Sequence, residues 1–224
     1  MVYISRSLEK IVLEATKEYP AVLVTGPRQV GKTTMLQKLM EGTDRGYVSL
    51  DDLHERNLAK TDPELFLQLH KPPVLIDEVQ YAPELFTYIK IYADKNRTKG
   101  AFWLTGSQAF KLMQGIQESL AGRVAVLSLT SLSQAEIYGN RLEPFVLDMK
   151  KLSARSRERK PANVGEIFDR IYKGSMPAVI SGQNKNTQIF YGSYVTTYIE
   201  RDIRALSDPI DSLKFLRFIT AVAA

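Results

Sequence analysis

The sequence predicts an α/β protein: a doubly wound, five-stranded parallel sheet with helices on both faces, followed by a helical C-terminal segment. Three observations carry this reading. Five short, continuous apolar runs alternate with helical stretches, the pattern of strands buried on both sides. A glycine-containing loop, GPRQVGKTT (26–34), joins the first of these runs to a helix. An acidic pair, Asp77-Glu78, closes the third.

Each element follows in order. Leu8, Ile11, Val12 and Ala15 fall at helical spacing, so residues 7–18 read as a helix that Pro20 ends. AVLVTG (21–26) reads as a short buried strand, 33–41 as a helix stopping near Gly42, and YVSL (47–50) as a second strand. A polar helical stretch follows, with a break at Asp62-Pro63. PVLID (73–77) is the third strand, AFWLT (101–105) the fourth and RVAVLSL (123–129) the fifth. A helix over 83–97 separates the third from the fourth and opens at Pro83, a residue suited to a first helical turn.

Past the fifth strand the character changes. Ser133 and Glu136 fit a capping box that starts a short helix and closes a first unit over 1–140. Residues 141–162 contain KKLSARSRERKPA (150–162), polar, basic and without periodicity, and read as a basic linker or exposed loop. Residues 163–224 are helical, over 164–173, 187–206 and 211–224, with Asp208-Pro209 breaking the last two apart. Tyr191, Tyr194, Val195, Tyr198, Ile199, Ile203 and Leu206 make an apolar stripe on the long helix. The final helix meets no glycine or proline stop, so the natural protein is expected to continue beyond Ala224, with 163–224 opening a further domain.

Composition narrows the function. The chain has 224 residues, 44% hydrophobic, enough for a packed core. It has no cysteine and only His54 and His70, which excludes a disulfide scaffold and makes zinc a poor fit. The N-terminus lacks the basic start and apolar core of a signal peptide, and no run approaches the ~20 apolar residues of a membrane span. A reducing cytoplasm is the expected location. The net charge of +5 permits a nucleic-acid partner without demanding one.

Gly26 to Thr33 matches G-x-x-x-x-G-K-[ST] without deviation. The pattern makes Gly26, Pro27, Arg28, Gln29, Val30, Gly31, Lys32, Thr33 and Thr34 a phosphate cradle. Its glycines let successive N–H groups turn toward phosphate oxygens, Lys32 reaches the β and γ phosphates, and the Thr33 hydroxyl ligates Mg²⁺. The helix that follows offers its positive end to the same anion. An acid at the end of a buried strand is costly unless a cation holds it, which gives Asp77 the metal-supporting role. Glu78, at the sheet's carboxyl edge, is the candidate general base. The fourth strand ends in TGSQ, where a γ-phosphate sensor belongs. Ser107 is the first candidate, with Thr105 and Gln108 behind it, against a plain Gly-Ser turn.

One strand lies in sequence between the cradle strand and the Asp77 strand, and a glutamate follows the aspartate. That points to the additional-strand, catalytic-glutamate branch of P-loop proteins. The Asn-Lys-x-Asp guanine signature is absent, which favours ATP. Arg123 has two readings: an arginine finger reaching a neighbouring subunit's γ-phosphate, or an arginine paired with a carboxylate at a strand start. Arg28 reads as a phosphate or partner contact, or as an exposed loop residue. Arg201 and Arg204 share a helical face, with a second sensor, a nucleic-acid contact and a solvated face in competition.

GPRQVGKTT, LIDEVQ, LTGSQ, SLAGRVAVLSLTSLSQAEI and YVTTYIERDI together resemble a bacterial and archaeal family of AAA-type ATPases. Its members join an N-terminal ATPase domain to a C-terminal nuclease-like domain of unknown function. The resemblance implies ATP binding by Gly26 to Thr34, Mg²⁺ and hydrolysis roles for Asp77 and Glu78, a sensor near Ser107 and a family position at Arg123. The nuclease-like part would lie beyond this chain. Two functions are carried forward: an ATPase acting as a motor or switch on a protein or nucleic acid, possible as a homo-oligomer with Arg123 in trans; and a nucleotide-gated DNA-binding or regulatory module with negligible turnover. A small-molecule kinase fits the Asp-Glu pair and the sensor strand poorly.

Overall fold

The computed structural model describes residues 3–107, 120–140, 146–158, 161–198 and 212–223. The sheet carries strands β1 (Ala21–Thr25), β2 (Gly46–Ser49), β3 (Val74–Asp77), β4 (Phe102–Gly106) and β5 (Val124–Ser128). All pairings are parallel, in the spatial order β2-β3-β4-β1-β5. β4 therefore sits between the cradle strand and the Asp77 strand, the inserted strand that the branch assignment expects.

Helices α1 (Leu8–Glu18), α2 (Lys32–Met40), α3 (Leu53–Thr61), α4 (Pro63–Leu69) and α5 (Leu85–Asn96) cover the sheet. Strand alternation splits the core into two layers. Ala21, Leu23, Ile76 and Leu104 pack with Phe66, Phe86 and Ile89 of α4 and α5. Val22, Val24, Leu75 and Trp103 pack with Val12, Met35 and Leu36 of α1 and α2. Residues buried this fully contribute roughly 1.5–3 kcal/mol each through apolar transfer. Asp62 ends α3 and caps α4, its side chain accepting from the Leu65 N–H, which gives the Asp62-Pro63 break its cause. The α5 helix starts at Leu85, two residues later than Pro83 suggests.

Beyond the sheet come α6 (Gln134–Ile137), α7 (Met149–Glu158), α8 (Val164–Lys173), α9 (Pro177–Ile180), α10 (Thr187–Tyr198) and α11 (Ser212–Ala223). The capping box of α6 is complete: Ser133 accepts from Glu136 N–H and Glu136 accepts from Ser133 N–H. The linker reading of 141–162 needs correction, because Met149–Glu158 is a helix. Asp148 accepts from the N–H groups of Lys150 and Lys151, capping a run of good helix formers. The run has no apolar face, so periodicity had nothing to register. The part of the long helix beyond Tyr198, with Ile199, Ile203 and Leu206, lies outside the described residues.

Residues 175–194 return to the sheet. Met176 and Val179 join the α1/α2 layer, with Phe190, Tyr191 and Tyr194 against it. Leu132 N–H donates to Ser175 O at 2.9 Å, and the hydroxyls of Ser131 and Ser175 lie 2.7 Å apart. Helices α9 and α10 are thereby fastened to the segment leaving β5.

Candidate nucleotide-binding site

The carboxyl ends of β1, β3 and β4 share one edge of the sheet, and the site forms there. The loop after β1 needs glycine at its first position. Gly26 has φ +142, and a Cβ placed on it would fall 2.0 Å from the Leu129 carbonyl oxygen. Gln29 at φ +60 and Gly31 at φ +92 adopt left-handed conformations that turn the loop into α2. Pro27, Gln29 and Thr34 are exposed along it, Arg28 is half-buried and engaged by neighbouring groups, and Val30 is anchored in the core. Lys32 is only 6% exposed, and its ammonium folds back to donate to Gly26 O at 2.9 Å and Pro27 O at 2.8 Å. A buried cation thus stands at the mouth of the loop within reach of an anion that the cradle would take.

Asp77 ends β3 at 6% exposure. Its Oδ1 accepts from Thr33 Oγ1 at 2.7 Å and also from Thr105 Oγ1. Tyr47 Oη donates to Oδ2 at 3.4 Å. Burial, and next the Asp77 carboxylate, push the Tyr47 phenol above its ordinary pKa. Thr33 and Asp77 place hard oxygen donors side by side, the donor type that Mg²⁺ takes when it is bound by one or two protein groups plus phosphates. Among the described residues no cluster of three His, Cys, Asp or Glu could hold a metal unaided.

Glu78 stands at φ +56, uncommon for a residue with a Cβ and a form of strain that clusters at functional sites. Its N–H donates to Thr105 Oγ1 at 3.1 Å. Its Oε2 accepts from the Gln80 amide and, at the 3.5 Å limit, from Ser107 Oγ. The fully buried Thr105 is therefore the hinge of the arrangement, donating to Asp77 and accepting from Glu78. Sequence reasoning ranked it behind Ser107. Gln108, Arg201 and Arg204 lie outside the described residues.

A cleft of about 740 Å³ opens on the other side of the loop. Tyr3 and Ile4, Val30, Thr34, and Pro177 and Phe190 supply its walls, so the N-terminal segment, the cradle and the C-terminal helices all meet there. Arg6 fixes this corner from beneath. Its Nη1 donates to Val30 O at 2.8 Å, its Nη2 to Thr130 O at 2.7 Å, and its Nε lies 3.3 Å from Glu136 Oε1. Burial pushes the Glu136 carboxyl up, but the N–H groups of Ser133 and Ser7 and the Arg6 guanidinium hold it below the usual range. Neither Arg6 nor Tyr47 belongs to a sequence pattern that would have singled it out.

Arg123 is not brought to this edge. It precedes β5 at the opposite, amino edge, where Nε and Nη2 donate to Asp94 at 2.5 and 3.0 Å. The Asp94 hydrogen bonds raise the Arg123 pKa and the Arg123 hydrogen bonds lower that of Asp94. Five strand residues, roughly 17 Å, separate it from its own cradle. The paired-carboxylate reading describes this geometry, and a finger role is left with a neighbouring chain's site alone.

Comparison with known proteins places these features. A family model described as an AAA domain (AAA_14) matches residues 18–138, and one described as a domain of unknown function (DUF8612) matches 165–224. Neither description is that of a nuclease. Uncharacterized proteins of Mycobacterium tuberculosis and Mycobacterium bovis are each 28% identical over 206 residues, covering 91% of this chain and 41% of theirs. The chain thus spans less than half the length of these relatives. A Walker-type ATPase of Pyrococcus abyssi superposes with a TM-score of 0.55 at 16% identity, over 98% of this chain and 77% of that one, a likeness of fold. No helix among the described residues is long and apolar enough to cross a membrane.

Proposed function

The chain belongs to the AAA domain family, and from that premise we propose that it binds ATP with Mg²⁺ at the carboxyl edge of its sheet and hydrolyses it. One observation supports this above the others: Thr33, Asp77, Thr105 and Glu78, from three separate elements, converge in a single hydrogen-bonded set beside the cradle. The N–H groups of residues 28–34, at the loop and the start of α2, receive the phosphates, and Lys32 leaves its loop carbonyls for the β and γ oxygens. Thr33 and Asp77 would hold Mg²⁺, which supplies charge neutralisation on the β and γ phosphates. Glu78 accepts a proton from water as the water oxygen bonds to the γ phosphorus. The bond from that phosphorus to the bridging oxygen breaks, leaving ADP and inorganic phosphate. Thr105 holds Glu78 and Asp77 in register, and Ser107 senses the γ end. The adenosine half occupies the 740 Å³ cleft, where Tyr3, Ile4 and Phe190 offer apolar walls.

Because Pro177 and Phe190 line that cleft, occupancy reaches the C-terminal helices directly, the route by which nucleotide state would be coupled to a protein or nucleic-acid partner.

Lys32→Ala is expected to weaken binding of a fluorescent ATP analogue about 10–100-fold, the worth of a charge-assisted contact. Glu78→Gln should keep binding and lower turnover about 10²–10⁴-fold. Undiminished turnover in Glu78→Gln, or turnover that survives EDTA, sinks the corresponding part of this reading. Arg123 is assigned to a neighbouring copy's γ-phosphate. Turnover per chain should then rise with protein concentration and lose that rise in Arg123→Ala; a rate per chain independent of concentration in both proteins would end the trans assignment.

A further inference from the structure

Gln80 lies two residues past Glu78, inside the 3₁₀ turn Val79–Tyr81. Its Nε2 donates to Glu78 Oε2. An ionised carboxylate only accepts, so the amide must present its nitrogen to Glu78 and its oxygen elsewhere. That oxygen, Oε1, is buried and has no hydrogen-bond partner among the described residues. A buried acceptor without a donor is expensive, and such atoms in a native fold call for a reason. The orphan acceptor belongs to a side chain already in contact with the carboxylate that takes the water's proton. The oxygen is closed to solvent; a single water admitted with the nucleotide, at about 2.8 Å from each group, would satisfy it and reach Glu78 as well.

We propose that Gln80 is a positioning residue for hydrolysis. Its N–H locks the orientation of the Glu78 carboxylate, and its amide oxygen accepts the second hydrogen of the attacking water. The water is then held at both hydrogens, one directed to Glu78 and one to Gln80, which fixes its lone pair toward the γ phosphorus. This rests on the hydrolytic reading above and names the group that orients the nucleophile. The αL backbone of Glu78 serves the same end: it turns the chain back so that residues 78 and 80 meet across a single turn.

The test is steady-state ATPase kinetics on wild type, Gln80→Met, Glu78→Gln and the double variant. Methionine matches glutamine in length and removes both amide groups. Gln80→Met is expected to lower kcat about 10–100-fold, with KM for ATP and affinity for a fluorescent ATP analogue within about twofold of wild type. In the Glu78→Gln background the same substitution should cost clearly less than in wild type, because the part of its effect that runs through the Glu78 carboxylate is already lost. If Gln80→Met does not fold, Gln80→Leu, which also removes both amide groups, takes its place in the comparison. Unchanged or raised kcat in the single variant overturns the proposal, and raised kcat would make Gln80 a brake. A loss that is undiminished in the Glu78→Gln background also overturns it, since that marks a role with no connection to Glu78. Wild type with no turnover sinks the hydrolytic reading and this inference together; wild-type turnover with an unaffected Gln80→Met sinks this inference alone.

Discussion

The carboxyl edge of the sheet and helix α8 are both well specified, but by different forces. At the sheet edge nearly every side chain is fixed by another element. Thr33 from α2, Asp77 from β3 and Thr105 from β4 share hydrogen bonds, and Arg6 links the N-terminal segment, the cradle and the start of α6. Helix α8 is fixed by its own ends. Asn163 and Glu166 form a complete capping box, and Gly174 closes it at φ +68. Its apolar positions, Val164, Ile167, Phe168, Ile171 and Tyr172, are nonetheless all exposed. The first region is held by long-range contacts with little local signal. The second has a strong local signal and few long-range contacts. Substitutions should separate the two.

The largest effect on stability is expected at Arg6. Arg6→Met keeps much of the side-chain volume but takes the cationic partner from Glu136, whose side chain is 7% exposed, and removes the donors to Val30 and Thr130. Breaking a buried ion pair from one side costs about 3–5 kcal/mol. Urea unfolding should show the loss as a lower midpoint with an unchanged slope. Nucleotide affinity should fall with it, because the Val30 carbonyl is the loop's tie to Arg6. A variant that unfolds like wild type would mean that Glu136 finds other partners, and the sheet edge would be less tightly determined than its contacts imply.

The same contrast explains what could be read from the chain in advance. The cradle, Asp77 and Glu78 were legible because phosphate chemistry demands particular residues at fixed short spacing. The inner strands β1, β3 and β4 were legible because both of their faces are buried, so each is a continuous apolar run; the edge strands β2 and β5 are only partly buried and showed through their apolar composition alone. The strand order became visible only with the fold, because pairing of β4 between β1 and β3 joins residues some 80 or 30 positions apart. Arg6 gave no signal at all: its partners Thr130 and Glu136 lie far along the sequence, and a lone arginine in ISRSLE looks like any surface arginine. Helix α7 escaped because Met149 and Leu152 are its only large apolar residues, too few to set an apolar period, and its cap at Asp148 stands outside the basic run. Arg123 was legible as an arginine at a strand start, but its carboxylate partner Asp94, 29 positions away, was not, because no local pattern encodes that pairing.

The smallest effect is expected on α8, and it tests the other half of the comparison. Phe168 and Ile171 are 65% and 68% exposed. Replacing both with serine removes little buried apolar area, and the helix keeps its capping box and its closing glycine. Substitutions at such positions change stability by about 0.5 kcal/mol or less each. Serine is a weaker helix former than isoleucine or phenylalanine by no more than a few tenths of a kcal/mol, so the intrinsic cost is also small. The double variant, compared with wild type by urea unfolding at several protein concentrations, should give midpoints that coincide within error at every concentration. A midpoint lowered equally at all concentrations by more than about 1.5 kcal/mol would mean that the face is packed within the single chain, and that α8 is held by tertiary contacts like the sheet edge. A loss that appears only at high concentration would instead mean that wild-type chains bury this face against one another, because association stabilises the folded state by mass action. Either result would end the contrast between the two regions.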